Sequence, residues 1–175
     1  LQSFEMINGC GTNNCFHLPL YNYNSLEMQK INLKEIYDNA NEHYSNKDYE
    51  KAKDLYLTIL KQSPEHPETN NNLGLTYRNL NQIEDAINCF KTALKSNGNY
   101  VIALNNLAKC QQEMNLISES IANFEKSLKI DPNKKKTFEE YASTLFKAND
   151  HMKALRYLDK SVGTINFSHE KVSIS

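Results

Sequence analysis

Four polar residues recur along this chain at a constant step of 34 positions: Asp38, Asn72, Asn106 and Glu140. A carboxamide offers one hydrogen-bond acceptor and two donors, so it can pair with both the N–H and the C=O of a peptide backbone. Side chains of this kind bind extended main chain without reading its sequence. The pattern therefore favours a general peptide-binding surface. The alternative is a polar face that is simply solvated, because Asn is common throughout this chain.

Two further residues join this set because they lie one helical turn beyond it, on the same predicted helix face. They are Asn41, beyond Asp38, and Lys109, beyond Asn106. The candidate peptide-binding residues are therefore Asp38, Asn41, Asn72, Asn106, Lys109 and Glu140.

Other reactive residues give weaker signals. Cys10, Cys15 and His17 in "CGTNNCFH" could supply part of a zinc site, but a structural zinc site needs four ligands, and no second pair follows nearby. Cys89 and Cys110 are expected to be small apolar fillers of the core, and their thiols to stay reduced.

Catalytic motifs give no signal. His43 and His151 fall at predicted packing positions. The sequence contains no phosphate-binding loop, nucleophile elbow or metal-binding helix motif. We expect no cofactor, no metal and no enzymatic activity.

The charge balance argues against polyanionic partners. The chain has 20 Lys and Arg against 21 Asp and Glu, a net charge of −1, so it lacks the single-sign field that steers proteins to nucleic acid or anionic membranes. No apolar run approaches the roughly 18 to 20 residues that span a bilayer. We expect a cytoplasmic protein that binds neither nucleic acid nor membrane.

The 34-residue period extends to the apolar positions. Setting the chain in blocks that begin at residues 33, 67, 101 and 135 aligns a column of small residues: Ala40, Gly74, Ala108 and Ala142. Twelve positions on lies a second small column, Ala52, Ala86, Ser120 and Ala154, followed by a bulky one, Tyr56, Phe90, Phe124 and Leu158. Small residues let two helix axes approach closely, and a bulky residue four positions later fills the adjoining space. Each block is predicted to be a pair of antiparallel helices.

Residues that end helices separate the predicted helices from one another. Between the two helices of each block the period places Lys47, Asn81, Asn115 and Asn149. Asn adopts the left-handed conformation that ends helices more readily than other residues that carry a side chain, so three of these four turns have a suitable residue. Between blocks, Pro64 and Pro132 stop the preceding helix, and Gly98 takes that role in the second block.

These blocks resemble tetratricopeptide repeats, about four in number. The second, "PETNNNLGLTYRNLNQIEDAINCFKTALKSNGNY", and the third, "VIALNNLAKCQQEMNLISESIANFEKSLKIDPNK", carry the family's pattern most fully. The outer blocks depart from it: Asn39 replaces the usual Leu, and the fourth block lacks the closing Pro. The resemblance implies an all-α solenoid of antiparallel helix pairs, with repeats at residues 33–66, 67–100, 101–134 and 135–163.

The resemblance also implies a function. In this family the first helix of each pair lines a concave groove, so we expect a scaffold that binds an extended segment of a partner protein. A clamp for acidic chaperone tails is disfavoured, because Tyr37, Ile102 and Asn106 stand where that clamp has cations, although Asn41 and Asn72 match its amides. The alternative is a non-catalytic, substrate-recruiting arm of a larger transferase or oxygenase.

The two ends of the chain do not follow the period. Residues 1–32 are expected to be an N-terminal arm or the end of a preceding segment. Residues 164–175 alternate apolar and polar residues as a strand does, and are expected to be a tail or the start of a following segment.

Overall fold

The structure, a computed structural model, describes residues 21–162 of the chain, with side chains from residue 32 onward. This part consists of eight α-helices and contains no strand: α1 (Tyr21–Ser45), α2 (Tyr49–Gln62), α3 (Pro67–Asn79), α4 (Ile83–Ser96), α5 (Val101–Glu113), α6 (Ile117–Ile130), α7 (Lys135–Lys147) and α8 (His151–Val162). The predicted all-α solenoid is confirmed. The zinc candidate at Cys10, Cys15 and His17 and the tail from residue 164 lie outside the described residues.

The helix boundaries follow the predicted blocks, except at the first one. α3, α5 and α7 begin at the block starts 67, 101 and 135, whereas α1 begins at Tyr21, well before residue 33. Residues 1–32 do not follow the 34-residue period, and the sequence predicted an arm or the end of a preceding segment there. Once a helix has formed, each added residue gains one backbone hydrogen bond, so α1 can begin ahead of the repeat pattern.

The tight turns lie where the sequence predicts them. Lys47, Asn81, Asn115 and Asn149 have φ values of 63°, 60°, 60° and 61°, and no other non-glycine residue of the described chain has positive φ. Each follows the first helix of its pair. The left-handed residue reverses the chain within a connection of three residues, so each pair is antiparallel with little room for slippage.

The two small columns and most of the bulky column form the core. All residues of the small columns are buried, and so are Tyr56, Phe90 and Phe124. Leu158, the fourth member of the bulky column, is partly buried and packs against a core cluster that includes Phe124 and Tyr141. Ser120 stands in a column that is otherwise Ala, and its hydroxyl donates a 2.8 Å hydrogen bond to the Ala108 carbonyl. That hydrogen bond satisfies the one polar atom in the column.

A glycine allows a close helix approach in the second pair. A Cβ atom added to Gly74 would lie 2.7 Å from Cε1 of Phe90, well inside normal van der Waals contact. Because the Phe90 ring is fully buried, it cannot move without displacing its neighbours. Glycine is thus required here to let α3 approach α4.

Successive helices pack against one another along the whole series, and the first helices of the pairs also contact each other, α3 with α5 and α5 with α7. The second helices, α2, α4, α6 and α8, do not pack against one another in this way. We call the surface formed by α1, α3, α5 and α7 the first-helix surface. Side chains on it can link one repeat to the next.

The remaining histidines and cysteines make local contacts. Nδ1 of His43 lies 3.3 Å from the Asp48 carboxylate, and the ring of His151 lies 5.8 Å from that of Phe146. Cys110 is fully buried, and Cys89 packs against the core cluster that includes Tyr56 and Leu73, in agreement with their predicted role as fillers.

Candidate functional site

The six predicted residues all lie on first helices. α1 carries Asp38 and Asn41, α3 carries Asn72, α5 carries Asn106 and Lys109, and α7 carries Glu140. Because four of them recur at the 34-residue length of a repeat, these four lie at equivalent positions of successive first helices.

An amide and phenol network joins α1 to α3. Nδ2 of Asn72 donates to the Tyr37 hydroxyl and to Oδ1 of Asn41, both at 3.0 Å. The Tyr56 hydroxyl donates to the same Asn41 oxygen at 2.6 Å. Asn41 Oδ1 thus accepts two hydrogen bonds and has no capacity left. Its N–H groups are the part of this amide that can still donate, either to a ligand or to Tyr37, which also lies in hydrogen-bonding range.

The network continues from α3 to α5 through a residue outside the predicted set. Asn71 donates from Nδ2 to Asn72 Oδ1 at 3.1 Å, and its own Oδ1 accepts from Asn106 Nδ2 at 2.9 Å. Asn71 is buried, at 3% exposure. It therefore links the predicted amides on α3 and α5. A signal for Asn71 was present in the sequence, because Asn105 lies one 34-residue repeat after it and each residue precedes a member of the predicted set.

Asn105, one repeat after Asn71, contacts the next first helix through a different partner. Its Nδ2 lies 2.8 Å from Oγ1 of Thr137 in the first turn of α7. Its Oδ1 is buried and has no hydrogen-bond partner among the described residues. Asn105 therefore ties α5 to α7 with only one end of its amide.

The charged members of the set behave differently from the amides. Lys109 forms an ion pair with Glu140 of α7, and both side chains are largely buried. Each charge neutralises the other, so neither is fully available to a charged ligand. Asp38 is exposed, and no described hydrogen bond or ion pair involves its side chain.

The hydroxyls at the α1 end stay protonated at neutral pH. Burial raises the pKa of Tyr37 and that of Tyr56 above the usual value for a phenol. Neutral phenols can both donate and accept, which is what the network around Asn41 requires.

A second row of contacts ties the first helices near their carboxyl ends. Arg78 binds the Glu113 carboxylate through Nε and Nη2, and Asn79 donates to the Tyr44 hydroxyl at 3.1 Å. The ion pair raises the pKa of Arg78. The first-helix surface is thus held by polar contacts between repeats as well as by the core.

Features of other kinds of site are limited. Within residues 32–162 no group of three or more His, Cys, Asp and Glu is placed to hold a metal ion. Burial raises the pKa of the Cys89 thiol to about 12 and that of Cys110 to about 11, so neither is a thiolate nucleophile at neutral pH. None of the described helices combines the length and apolar character needed to cross a membrane.

Comparisons with known proteins identify the repeats. Residues 67–100 and residues 101–134 each match a family model described as tetratricopeptide repeat. A comparison with curated proteins found no match.

Several solved structures share the fold. MamA from Desulfovibrio magneticus RS-1 is 17% identical, with a TM-score of 0.70 over 75% of this chain and 74% of that one. YrrB, a repeat protein with an unusual peptide-binding site, is 23% identical, with a TM-score of 0.67 over 79% of this chain and 71% of its own. The first repeat domain of Spaghetti (RPAP3), bound to the HSP90 peptide SRMEEVD, is 18% identical, with a TM-score of 0.65 over 67% of this chain and 93% of its own.

Proposed function

This chain is a tetratricopeptide repeat protein of about four repeats, and we propose that it is an interaction scaffold that binds an extended segment of a partner protein on its first-helix surface. The observation that carries the proposal is the continuous amide network through Asn41, Asn72, Asn71 and Asn106, which reaches from α1 to α5.

The network supports peptide binding because it fixes the orientation of each amide. With Asn41 Oδ1 occupied, its N–H groups are the side that a peptide carbonyl can use. Asn106 uses one N–H on Asn71, so its Oδ1 and its other N–H are left for a peptide N–H and C=O. Amides already held in place lose less conformational entropy when they bind.

In this proposal Asn72 supports the amides that bind the peptide. Both of its N–H groups and one lone pair are used within the protein, so it mainly positions its neighbours. Replacing Asn72 would disturb the network as well as any ligand contact, whereas Asn106 keeps most of its capacity for a ligand.

Two solved structures with this fold point to the same class of ligand. Spaghetti (RPAP3) was solved with an HSP90 peptide and YrrB has a peptide-binding site. The ligand proposed for this chain is not a chaperone tail, since the Tyr37 hydroxyl is engaged with Asn72 and Ile102 offers an apolar, half-exposed side chain.

The proposal is tested with a partner captured from the source cell lysate, identified, and reduced to its shortest binding peptide. Calorimetry then compares wild type, Asn106→Ala and the control Asn88→Ala, which removes an exposed amide from α4. We expect Asn106→Ala to weaken binding about two- to twelvefold for each hydrogen bond lost. Asn88→Ala should bind as wild type does.

Two further measurements make the result specific. Because the contacts are to main chain, the loss should be similar for peptides of different sequence, and added salt should change it little. Thermal melting of Asn106→Ala shows how much of any loss comes from folding. Equal affinity of Asn106→Ala and Asn88→Ala would show that the amide network is not part of the binding site and would contradict the proposal.

A further inference from the structure

In the second and third repeats, an apolar stripe on the second helix packs against the first helix of the next repeat. The stripe recurs after 34 residues: Ile87, Phe90 and Leu94 on α4, and Ile121, Phe124 and Leu128 on α6. The α4 stripe shares a core cluster with Leu107 of α5, and the α6 stripe shares one with Tyr141 of α7. In both repeats the following first helix therefore covers the stripe.

The same stripe on α8 has no following helix against it among the described residues. It consists of Leu155, Leu158 and Val162, and we call it the end stripe. Phe90 and Phe124 are buried, whereas their counterpart Leu158 is only partly buried. Val162 is 62% exposed. Because α8 packs extensively only against α7 among the described helices, this end of the array presents apolar side chains to water.

The opposite end of the array is polar. Asn39 of α1 stands in the column where Leu73, Leu107 and Tyr141 meet the preceding repeat, and its side chain is exposed. Terminal units of repeat arrays need such a polar outer face, because they have no neighbour on that side. α1 meets this requirement with its own residues, and α8 does not.

The residues that follow α8 in the sequence have the composition to cover the end stripe. Gly163 comes directly after the helix, and glycine at this position allows the left-handed conformation that reverses a chain at a helix end. Ile165 and Phe167 follow, with one polar residue between them. In an extended segment the two side chains point to the same side, whereas in a helix they would lie about 200° apart. An extended segment therefore presents both side chains to one surface.

The length of this segment matches the end stripe. An extended chain advances about 3.3 Å per residue and a helix about 1.5 Å per residue. Residues 164–167 can thus span about 13 Å, whereas the rise along α8 from Leu155 to Val162 is about 11 Å. A chain that reverses at Gly163 therefore reaches the far end of the stripe at Phe167.

We propose that residues 164–167 run back along α8 in extended form and cover the end stripe, with Ile165 beside Val162 and Phe167 beside Leu155 and Leu158. The occupant is a segment of this chain because it is attached next to the stripe, so its effective concentration there exceeds that of a separate partner. The docked segment closes this end of the array to a further helix or a second copy. This docking goes beyond peptide binding on the first-helix surface and does not depend on it.

Nuclear magnetic resonance of the full chain tests the contact directly. We expect nuclear Overhauser effects between the Phe167 ring and the methyl groups of Leu155 and Leu158, unchanged on dilution. A mixture of labelled and unlabelled protein shows whether the two groups belong to one molecule. Effects between different molecules would place a second copy on the stripe and overturn the proposal. The absence of any effect between Phe167 and the stripe would overturn it as well.

Paired variants test whether the contact holds α8 in place. Ile165→Ala with Phe167→Ala removes the apolar side chains of the docked segment, and we expect it to accelerate amide hydrogen exchange in α8 about tenfold. The matched control is Val172→Ala with Ile174→Ala, which removes two apolar side chains beyond the docked residues and should leave exchange in α8 unchanged. Equal exchange rates in the two variants would contradict the docking of residues 164–167.

Discussion

Replacing Ala86 with leucine tests the packing register of the repeats. Ala86 is completely buried, at 0% exposure, and packs in one cluster with Phe90 of its own helix and Leu107 of the next repeat. Leucine adds three carbon atoms where two helices meet. Overpacking of a well-packed site costs about 1 to 3 kcal/mol.

The cost translates into a measurable change in melting temperature. For a domain of roughly 150 residues, 1 kcal/mol lowers Tm by about 2 to 4 °C, so Ala86→Leu should lower it by about 2 to 12 °C. Circular dichroism at the helical minimum follows the transition. Ala86→Ser should cost much less, because Ser120 occupies the same column and donates to a carbonyl across the pair.

The matched control is Ala122→Leu, the same substitution at an exposed position of α6. Leucine and alanine have similar helix propensities, so this variant should melt close to wild type. If Ala86→Leu and Ala122→Leu had the same Tm, Ala86 would not lie at a close helix contact and the assigned register would be wrong.

Three further results are expected. Gly74→Ala should lower the free energy of unfolding in urea by up to about 2 kcal/mol, since the clash with Phe90 outweighs the gain of about 1 kcal/mol in helix propensity. A more stable variant would contradict the close approach of α3 and α4. Hydrogen bonding to Lys153 lowers the pKa of Glu125, so the contribution of this pair to stability is present above the unfolded pKa and is lost as pH falls through the folded pKa. Glu125→Gln should therefore flatten the dependence of Tm on pH below about 5. An unchanged slope would count against this pair. Burial raises the pKa of Cys110 to about 11. Peptide mapping should therefore show slow maleimide labelling of Cys110 at pH 8 in the native protein and fast labelling in urea. Rapid labelling of the native protein would contradict the burial of this thiol.

The fold could be predicted because its determinants are local and repeated. A small residue such as Ala52 or Ala86 marks a close helix contact wherever it recurs in step with a bulky one. An asparagine such as Asn81 or Asn115 marks a left-handed turn, because few side chains tolerate that conformation. Four copies of the pattern supplied the register that a single helix pair would not have given.

The contacts within the site could not be predicted to the same depth. Two adjacent asparagines, such as Asn71 and Asn72, point about 100° apart on a helix, and only the curvature of the array decides which is buried between repeats. The pairing of Lys109 with Glu140 also depends on how α5 and α7 approach each other. The period identified the helix face, and the three-dimensional arrangement determined which of its donors and acceptors remain for a ligand.

Site-specific photo-crosslinking tests most directly whether partners bind on the first-helix surface. p-Benzoylphenylalanine replaces Ile102, an exposed residue of α5 close to Asn105 and Asn106, or Leu57, an exposed residue of similar size on α2. After irradiation in cell lysate, we predict a discrete adduct with the partner protein from position 102 and none from position 57. An adduct from position 57 alone would place the partner on the second helices and contradict the account.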